Sequence, residues 1–289
     1  MSETTETTVM RAAVQVDGEP ASYVTAGRQD TPPVLMLHGT YWSRVWLPVL
    51  GHLADAGLRP LAVDLPGLGR SGGRLTPETA TVPALADWVT RFVSALDLPG
   101  PIAVAGHDIG GAIAQHLLAH NRLDVARLAL VNSVLYDSWP APHVARFRNG
   151  ETGEGVLAAR RQAIARVLAG VATESLIADY ADPWTNERVR RSWTALAGAA
   201  DNRYTLDLVP ALQRSTTPKL LIWGKMTSMR RWNTPNGSLR RCPTPRSSAS
   251  RMRITFPRRT PPTGSAARSP TSSQRRDLRT RHAIRMRPS

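Results

Sequence analysis

An aspartate stands between two glycines in the segment Gly106-His107-Asp108-Ile109-Gly110, which follows the apolar run Ile102-Ala103-Val104-Ala105. Glycines on both sides of a central side chain permit a sharp, strained strand-to-helix turn that pushes this side chain out at the end of the strand. An aspartate placed there is ionised at neutral pH and needs no base to become a nucleophile. It can displace a leaving group at carbon and form an ester. The competing reading is structural: an aspartate at the head of a helix commonly caps its free N–H groups.

Two further segments bear on this choice. His38-Gly39-Thr40-Tyr41 follows the apolar run Val34–Leu37. A loop there can offer backbone N–H groups to an oxyanion, and the N–H of Ile109, the residue after the nucleophile, would be the second donor. Thr40 and Ile109 are therefore the candidate oxyanion-hole residues. Asp64-Leu65-Pro66-Gly67-Leu68-Gly69-Arg70-Ser71 follows the run Leu61-Ala62-Val63. Gly67–Gly72 also matches G-x-G-x-x-G, but Thr76-Pro77 intervenes before the next helix and Asp87 lies inside that helix rather than at a strand end. Dinucleotide binding is rejected on those grounds.

The elements that must position these residues are legible as alternating strands and helices. Residues 12–26 read as two short strands around an Asp17-Gly18 turn. Val34–Leu37, Leu61–Val63, Ile102–Ala105, Leu128–Val131 and Leu220–Trp223 read as short apolar strands, the first four of them buried. Helices are expected over 43–57, ending at Gly57, over 83–96 with Pro83 in the first turn, and from the elbow to about His120. Strands alternating with helices imply an α/β fold with a mostly parallel sheet covered on both faces. Ligands in such sheets bind at the carboxyl edge, where Asp108 falls. Residues 150–212 read as mostly helical with a break at Asp182-Pro183, too long for one crossover, and imply an inserted cap over about 134–218.

The elbow Gly106-His107-Asp108-Ile109-Gly110-Gly111, the His38-Gly39 loop and the Asp64–Ser71 segment, in this order and spacing, resemble the α/β-hydrolase superfamily over about residues 10–224. The elbow resembles its aspartate-nucleophile branch, the epoxide hydrolases and haloalkane dehalogenases. The resemblance implies an α/β-hydrolase fold and a two-step hydrolysis of a small apolar epoxide, haloalkane or ester. Asp108 would form an alkyl-enzyme ester, and a histidine oriented by an acidic residue would activate the water that cleaves it. No metal or organic cofactor is implied. Asp137, a few residues past the strand at 128–131, is the candidate acid. Tyr180 and Tyr204 in the cap are candidates to bind substrate and protonate an epoxide oxygen. Two positions depart from the dehalogenase pattern: Ile109 stands where tryptophan is usual, and Thr40 where asparagine is usual. Both weaken the case for halide chemistry.

The missing piece is the histidine. His38, His107, His116, His120 and His143 all precede the place where the base should stand, and His116 and His120 read as surface or packing residues. His282 alone follows the fifth apolar strand, and its Arg279-Thr280-Arg281 surroundings show no strand or turn. Composition changes at the same place. The chain has 289 residues and 37 basic against 22 acidic groups, a net charge of +15. Residues 1–224 hold 20 basic and 21 acidic groups, whereas residues 225–289 hold 17 basic groups and a single acid, Asp277. The tail reads as basic, low in complexity and disordered.

A change of reading frame accounts for this shift. Joining the third base of each codon to the first two of the next, Met226-Thr227 gives Asp whatever the threonine codon, and Lys225-Met226 gives Asp if the lysine is AAG. Trp232-Asn233 gives Glu, and Ile254-Thr255 gives His if the isoleucine is ATC. An Asp-Asp pair thus reappears behind Trp223-Gly224, where the resemblance implies an acidic pair, and a histidine follows. The expectation is a one-base loss near codons 224–225 that leaves 1–224 as the hydrolase-like domain and deprives this chain of its base.

Composition bounds the alternatives. One cysteine, Cys242, excludes a disulfide scaffold and a thiolate zinc cluster. No apolar run reaches the roughly 18 residues that span a bilayer. Met1–Val9 is polar, without the basic flank and apolar run of a secretory signal, so a cytoplasmic location is expected. The basic tail admits a second class of function, an anionic-surface or nucleic-acid binder, but no aromatic interleaving accompanies the arginines. A third is a catalytically silent hydrolase fold that only binds.

Overall fold

The computed structural model describes residues 8–223 except 99, 142–143, 145–153 and 169. The basic tail, His282 and the shifted-frame positions lie outside the described residues. The strands are β1 (Met10–Val16), β2 (Glu19–Thr25), β3 (Pro33–Leu37), β4 (Arg59–Val63), β5 (Ile102–His107), β6 (Val125–Val131) and β7 (Lys219–Ile222). They form one sheet in the order β1-β2-β4-β3-β5-β6-β7, antiparallel at β1–β2 and β2–β4 and parallel elsewhere. The β1–β2 hairpin closes through Asp17 (φ 54°) and Gly18 (φ 80°), the two left-handed residues that a tight turn between twisted strands requires.

The sheet has a core on each face, set by the alternation along its strands. On β3, Leu35 and Leu37 point to the face covered by α2 (Val82–Ala95) and α3 (Ile109–Ala119), while Val34 and Met36 join the cluster under α1 (Leu47–Asp55). Thr81 caps α2 by accepting the N–H of Ala84, and Pro83 sits in the first turn where its missing donor costs nothing. The single helix expected over 43–57 is corrected. Ser43–Trp46 is a 3-10 turn and α1 begins at Leu47. Pro48 supplies the reason, because it has no N–H to bond back to residue 44 and fits only the first turn of a helix.

Between β6 and β7 lie α4 (Glu154–Val167), α5 (Glu174–Ala181), α6 (Glu187–Gly198), α7 (Arg203–Leu206) and α8 (Val209–Arg214), with a 3-10 turn at Asp182–Thr185 where the sequence shows its break. β7 pairs with β6 alone, and Leu220, Leu221 and Ile222 are 43–49% exposed. Among the described residues nothing covers this edge strand.

One buried carboxylate fixes the loops at the carboxyl edge, and one buried imidazole lies near the far end of α3. Asp64, fully buried after β4, accepts the N–H groups of Ser43 (2.7 Å) and Arg70 (3.0 Å) and pairs with Arg11 Nη1 of β1 (3.0 Å). On α3, the imidazole of His116 is buried beside that of His120, with ring centroids 4.2 Å apart. Burial, then the charges of His120 and Arg122, push the His116 pKa down to about 4 against a weaker opposing pull from Asp87. Burial lowers that of His38 in the same sense.

Asp64→Ala strands two N–H groups and a guanidinium, and should lower the unfolding free energy by about 3 kcal/mol. Asp64→Asn keeps one acceptor oxygen and should cost about half as much; denaturant unfolding of the two variants checks the order. Because His116 takes up its proton only when unfolded between about pH 6.5 and pH 4, stability is present above that window and should be lost as pH falls through it. His116→Gln should flatten that loss in unfolding curves recorded at stepwise pH.

Candidate active site

The carboxyl ends of β3 and β5 lie side by side at the centre of the sheet, where the chain order reverses (Leu37 opposite Gly106), and the loops leaving them diverge to opposite faces. Asp108 joins β5 to α3 with φ 57° and ψ −125°, a conformation that L-residues rarely adopt and that persists only where the surroundings hold it. The glycines explain how. A Cβ on Gly106 would fall 2.5 Å from the carbonyl oxygen of Gly110 and from the Cα of Gly111. A Cβ on Gly110 would collide with the carbonyls of Leu37 and His38, and one on Gly111 with the Ser133 side chain. Strand, helix and neighbouring loop therefore meet at backbone distance. The Asp108 carbonyl accepts the N–H groups of Gly111 and Val134, each at 3.1 Å, and Gln115 Nε2 bridges the carbonyls of Gly111 (2.9 Å) and Val134 (3.0 Å).

The Asp108 side chain does not cap α3. It turns to the loop after β3, where Oδ2 accepts the backbone N–H of Thr40 at 2.9 Å and the Thr40 hydroxyl at 2.8 Å. The helix-capping reading of this residue is thereby excluded. Gly39 makes the approach possible: a Cβ there would stand 2.5 Å from the Asp108 Cβ, 2.6 Å from its Oδ2 and 2.6 Å from the Ile109 nitrogen. The carboxylate oxygen and the Ile109 N–H thus border one small space. His38 anchors the loop from below. Its Nε2 accepts the N–H of Leu65 at 2.9 Å, which leaves the proton on Nδ1 to donate to the Gly39 carbonyl at 2.9 Å.

The helical segment between β6 and β7 packs over this loop. The Thr40 carbonyl accepts Trp193 Nε1 (3.0 Å) and Arg160 Nη2 (3.2 Å). Trp42 Nε1 donates to the Tyr180 carbonyl at 3.0 Å, Arg44 Nε pairs with Asp179 Oδ2 at 2.6 Å, and Arg70 pairs with Asp182 at 2.5 Å.

Of the residues expected from sequence, Asp108, Thr40 and Ile109 come together. Asp137 is exposed in the turn after β6, and among the described residues no hydrogen bond ties it to Asp108. Tyr180 is half-buried on α5 with its ring 4.7 Å from the Arg44 guanidinium, and Tyr204 packs half-buried against the core. Neither hydroxyl bonds to Asp108 among the described residues. The sequence reading missed Arg160, Trp184 and Trp193. Arg160 sits beside Arg161 on α4, a pair that reads as solvated surface, and nothing local marks one of the two as buried. No group of three or more His, Cys, Asp or Glu is disposed to hold a metal among the described residues, and no helix among them is long and apolar enough to cross a membrane.

Comparison with known proteins bears on this geometry. The chain is similar to a haloalkane dehalogenase of Psychrobacter cryohalolentis, 35% identical over 114 residues that make up 39% of this chain and 37% of the relative. A haloalkane dehalogenase of Mycolicibacterium paratuberculosis is 33% identical over 39% of this chain and 38% of that protein. The chain thus spans well under half the length of the curated relatives it matches. Among solved structures, the haloalkane dehalogenase DbeA of Bradyrhizobium elkani superposes with a TM-score of 0.62 at 25% identity, covering 75% of this chain and 81% of that one. The epoxide hydrolase CorEH superposes with a TM-score of 0.60 at 25% identity, covering 75% and 83%. The profile of the alpha/beta hydrolase family matches residues 34–274. That match spans most of the sequence, and it includes the strained turn at Asp108 and the Thr40 loop beside it: the chain belongs to the alpha/beta hydrolase family.

Proposed function

We propose that Asp108 is the nucleophile of a hydrolase acting on a small apolar epoxide or haloalkane through a covalent ester. The orientation of its carboxylate, turned away from its own helix and onto two donors of Thr40, carries the reading. With Oδ2 held by Thr40, Oδ1 is the oxygen that attacks carbon. The new C–O bond forms as the bond to the leaving atom breaks. A halide departs with the electron pair, or an epoxide oxygen takes the pair and a proton. Oδ2 then becomes the carbonyl oxygen of the ester. When water adds to that carbonyl, negative charge gathers on Oδ2, where the N–H of Thr40 already donates and the N–H of Ile109 stands close. The names of the similar dehalogenases and epoxide hydrolase support the substrate class. Tyr180 and Tyr204 remain our candidates for the proton donor to an epoxide oxygen, and Asp137 for the residue that orients the base.

The base that activates water belongs, on this reading, to the shifted frame behind Trp223. The chain as it stands completes the first step and stalls at the ester, since alkylation of an ionised carboxylate needs no base. The gene sequence from codon 215 past the stop is the direct check. Restoring one base should open a frame with Asp-Asp after Trp223-Gly224 and a histidine near position 255, and the repaired protein should turn over. A gene with no such frame overturns this part of the reading.

With 1-bromobutane or styrene oxide, mass spectrometry of the present chain should find one alkyl adduct on the Asp108 peptide. Bromide release should stop at one equivalent, and Asp108→Asn should give neither. Steady turnover without an adduct on Asp108 would sink the proposal. In the repaired chain, Thr40→Pro removes the N–H donor at Oδ2 and should slow ester hydrolysis by roughly 10²-fold, measured as single-turnover decay of the adduct.

A further inference from the structure

Arg160 is a buried cation with no carboxylate paired to it among the described residues. It enters from α4, is 9% exposed, and lies under the same covering helices as the nucleophile loop. Three aromatic rings surround its guanidinium, Tyr41 at 4.7 Å, Trp193 at 4.9 Å and Trp184 at 5.1 Å. Nη2 donates to the Thr40 carbonyl at 3.2 Å, while Nε finds no hydrogen-bond partner among the described residues. Nor does any carboxylate among them form an ion pair with it.

This arrangement is costly. A buried charge loses most of its hydration, and aromatic faces return only part of that loss. Holding the Thr40 carbonyl does not call for a charge, since Trp193 donates to the same oxygen as a neutral indole. A glutamine would bridge the helix to the loop without the penalty. What distinguishes an arginine is a planar fork of donors whose fixed geometry fits a carboxylate. One residue, Thr40, links this fork to the nucleophile: its carbonyl faces Arg160 and its N–H faces Asp108.

We infer that Arg160 is the specificity residue of this site and that it receives the carboxylate of a short aliphatic electrophile whose reactive carbon lies over Asp108. The inference rests on the Asp108 reading and narrows its substrate class. The aromatic cage strips water from the guanidinium, to which the Tyr41 hydroxyl also bonds, and leaves Nε for an incoming anion. A neutral haloalkane or epoxide of the same length leaves the cation unsatisfied and is the poorer substrate.

Binding and chemistry test this separately, on the full chain. In ¹⁵N-edited spectra, the Arg160 Nε–H signal is assigned by its loss in Arg160→Lys, which keeps the charge. Sodium acetate should move that signal and the Trp193 indole signal saturably, and acetamide should not. Arg160→Lys should weaken acetate binding about tenfold when followed at the indole. No saturable movement, equal movement with acetamide, or saturation by sodium chloride but not acetate overturns the carboxylate site; the last outcome assigns a halide instead. In the second arm, 3-bromopropionate should alkylate Asp108 at least tenfold faster than 1-bromopropane, and Arg160→Gln should erase that preference. Alkylation by both reagents without preference defeats the Arg160 inference and leaves the Asp108 reading standing. Acetate binding through Arg160 with no alkylation by either reagent defeats the Asp108 reading and leaves the anion site.

Discussion

One contact organises the centre of this molecule: a carboxylate just past the end of β5 held by a backbone N–H and a hydroxyl from the loop after β3. It requires the two strand ends to lie side by side, which the register Leu37 opposite Gly106 provides. It requires the elbow to approach that loop without side chains in between, which Gly39 and Gly110 provide. It also requires the loop to stay in place, which the buried imidazole of His38 achieves by joining Leu65 to Gly39. The strained backbone of Asp108 is sustained from three directions, by Gly111, Val134 and Thr40.

The covering helices converge on the same loop. Arg160 and Trp193 both donate to the Thr40 carbonyl, opposite the N–H that holds the Asp108 carboxylate. A single residue, Thr40, therefore couples the covering segment to the carboxylate through its two flanking peptide groups. Displacement of α4 or α6 is felt at Oδ2 through one residue.

The elbow was legible because its requirement is local: two glycines and a short polar residue at the end of an apolar strand. The parallel sheet was legible from short apolar runs of the right length, and the hairpin from Asp17-Gly18. Arg160 was not, since its partners Tyr41, Trp184 and Trp193 are distant in sequence and only the fold assembles the cage. The exact start of α1 depended on Pro48, a signal present in the sequence but overridden by the hydrophobic pattern that ran through it. Distance past β6 marks Asp137 as a candidate acid, and whether the turn there faces solvent is a matter that spacing alone does not record. The exposure of β7 depends on what neighbours it, which no four-residue apolar run records.

The contacts between covering helices and core fall into two layers. The inner layer, at Thr40, is made of buried donors on a carbonyl. The outer layer is ionic: Arg44 with Asp179 and Arg70 with Asp182, both reaching solvent. Dissolved ions screen the outer layer within a Debye length of about 8 Å at physiological ionic strength, and barely touch the inner one. Ionic strength thus divides the contacts of this fold into two classes. It weakens the two ion pairs that tie the outer helices to the loops, while the hydrogen bonds that set the geometry at the carboxylate are nearly indifferent to it.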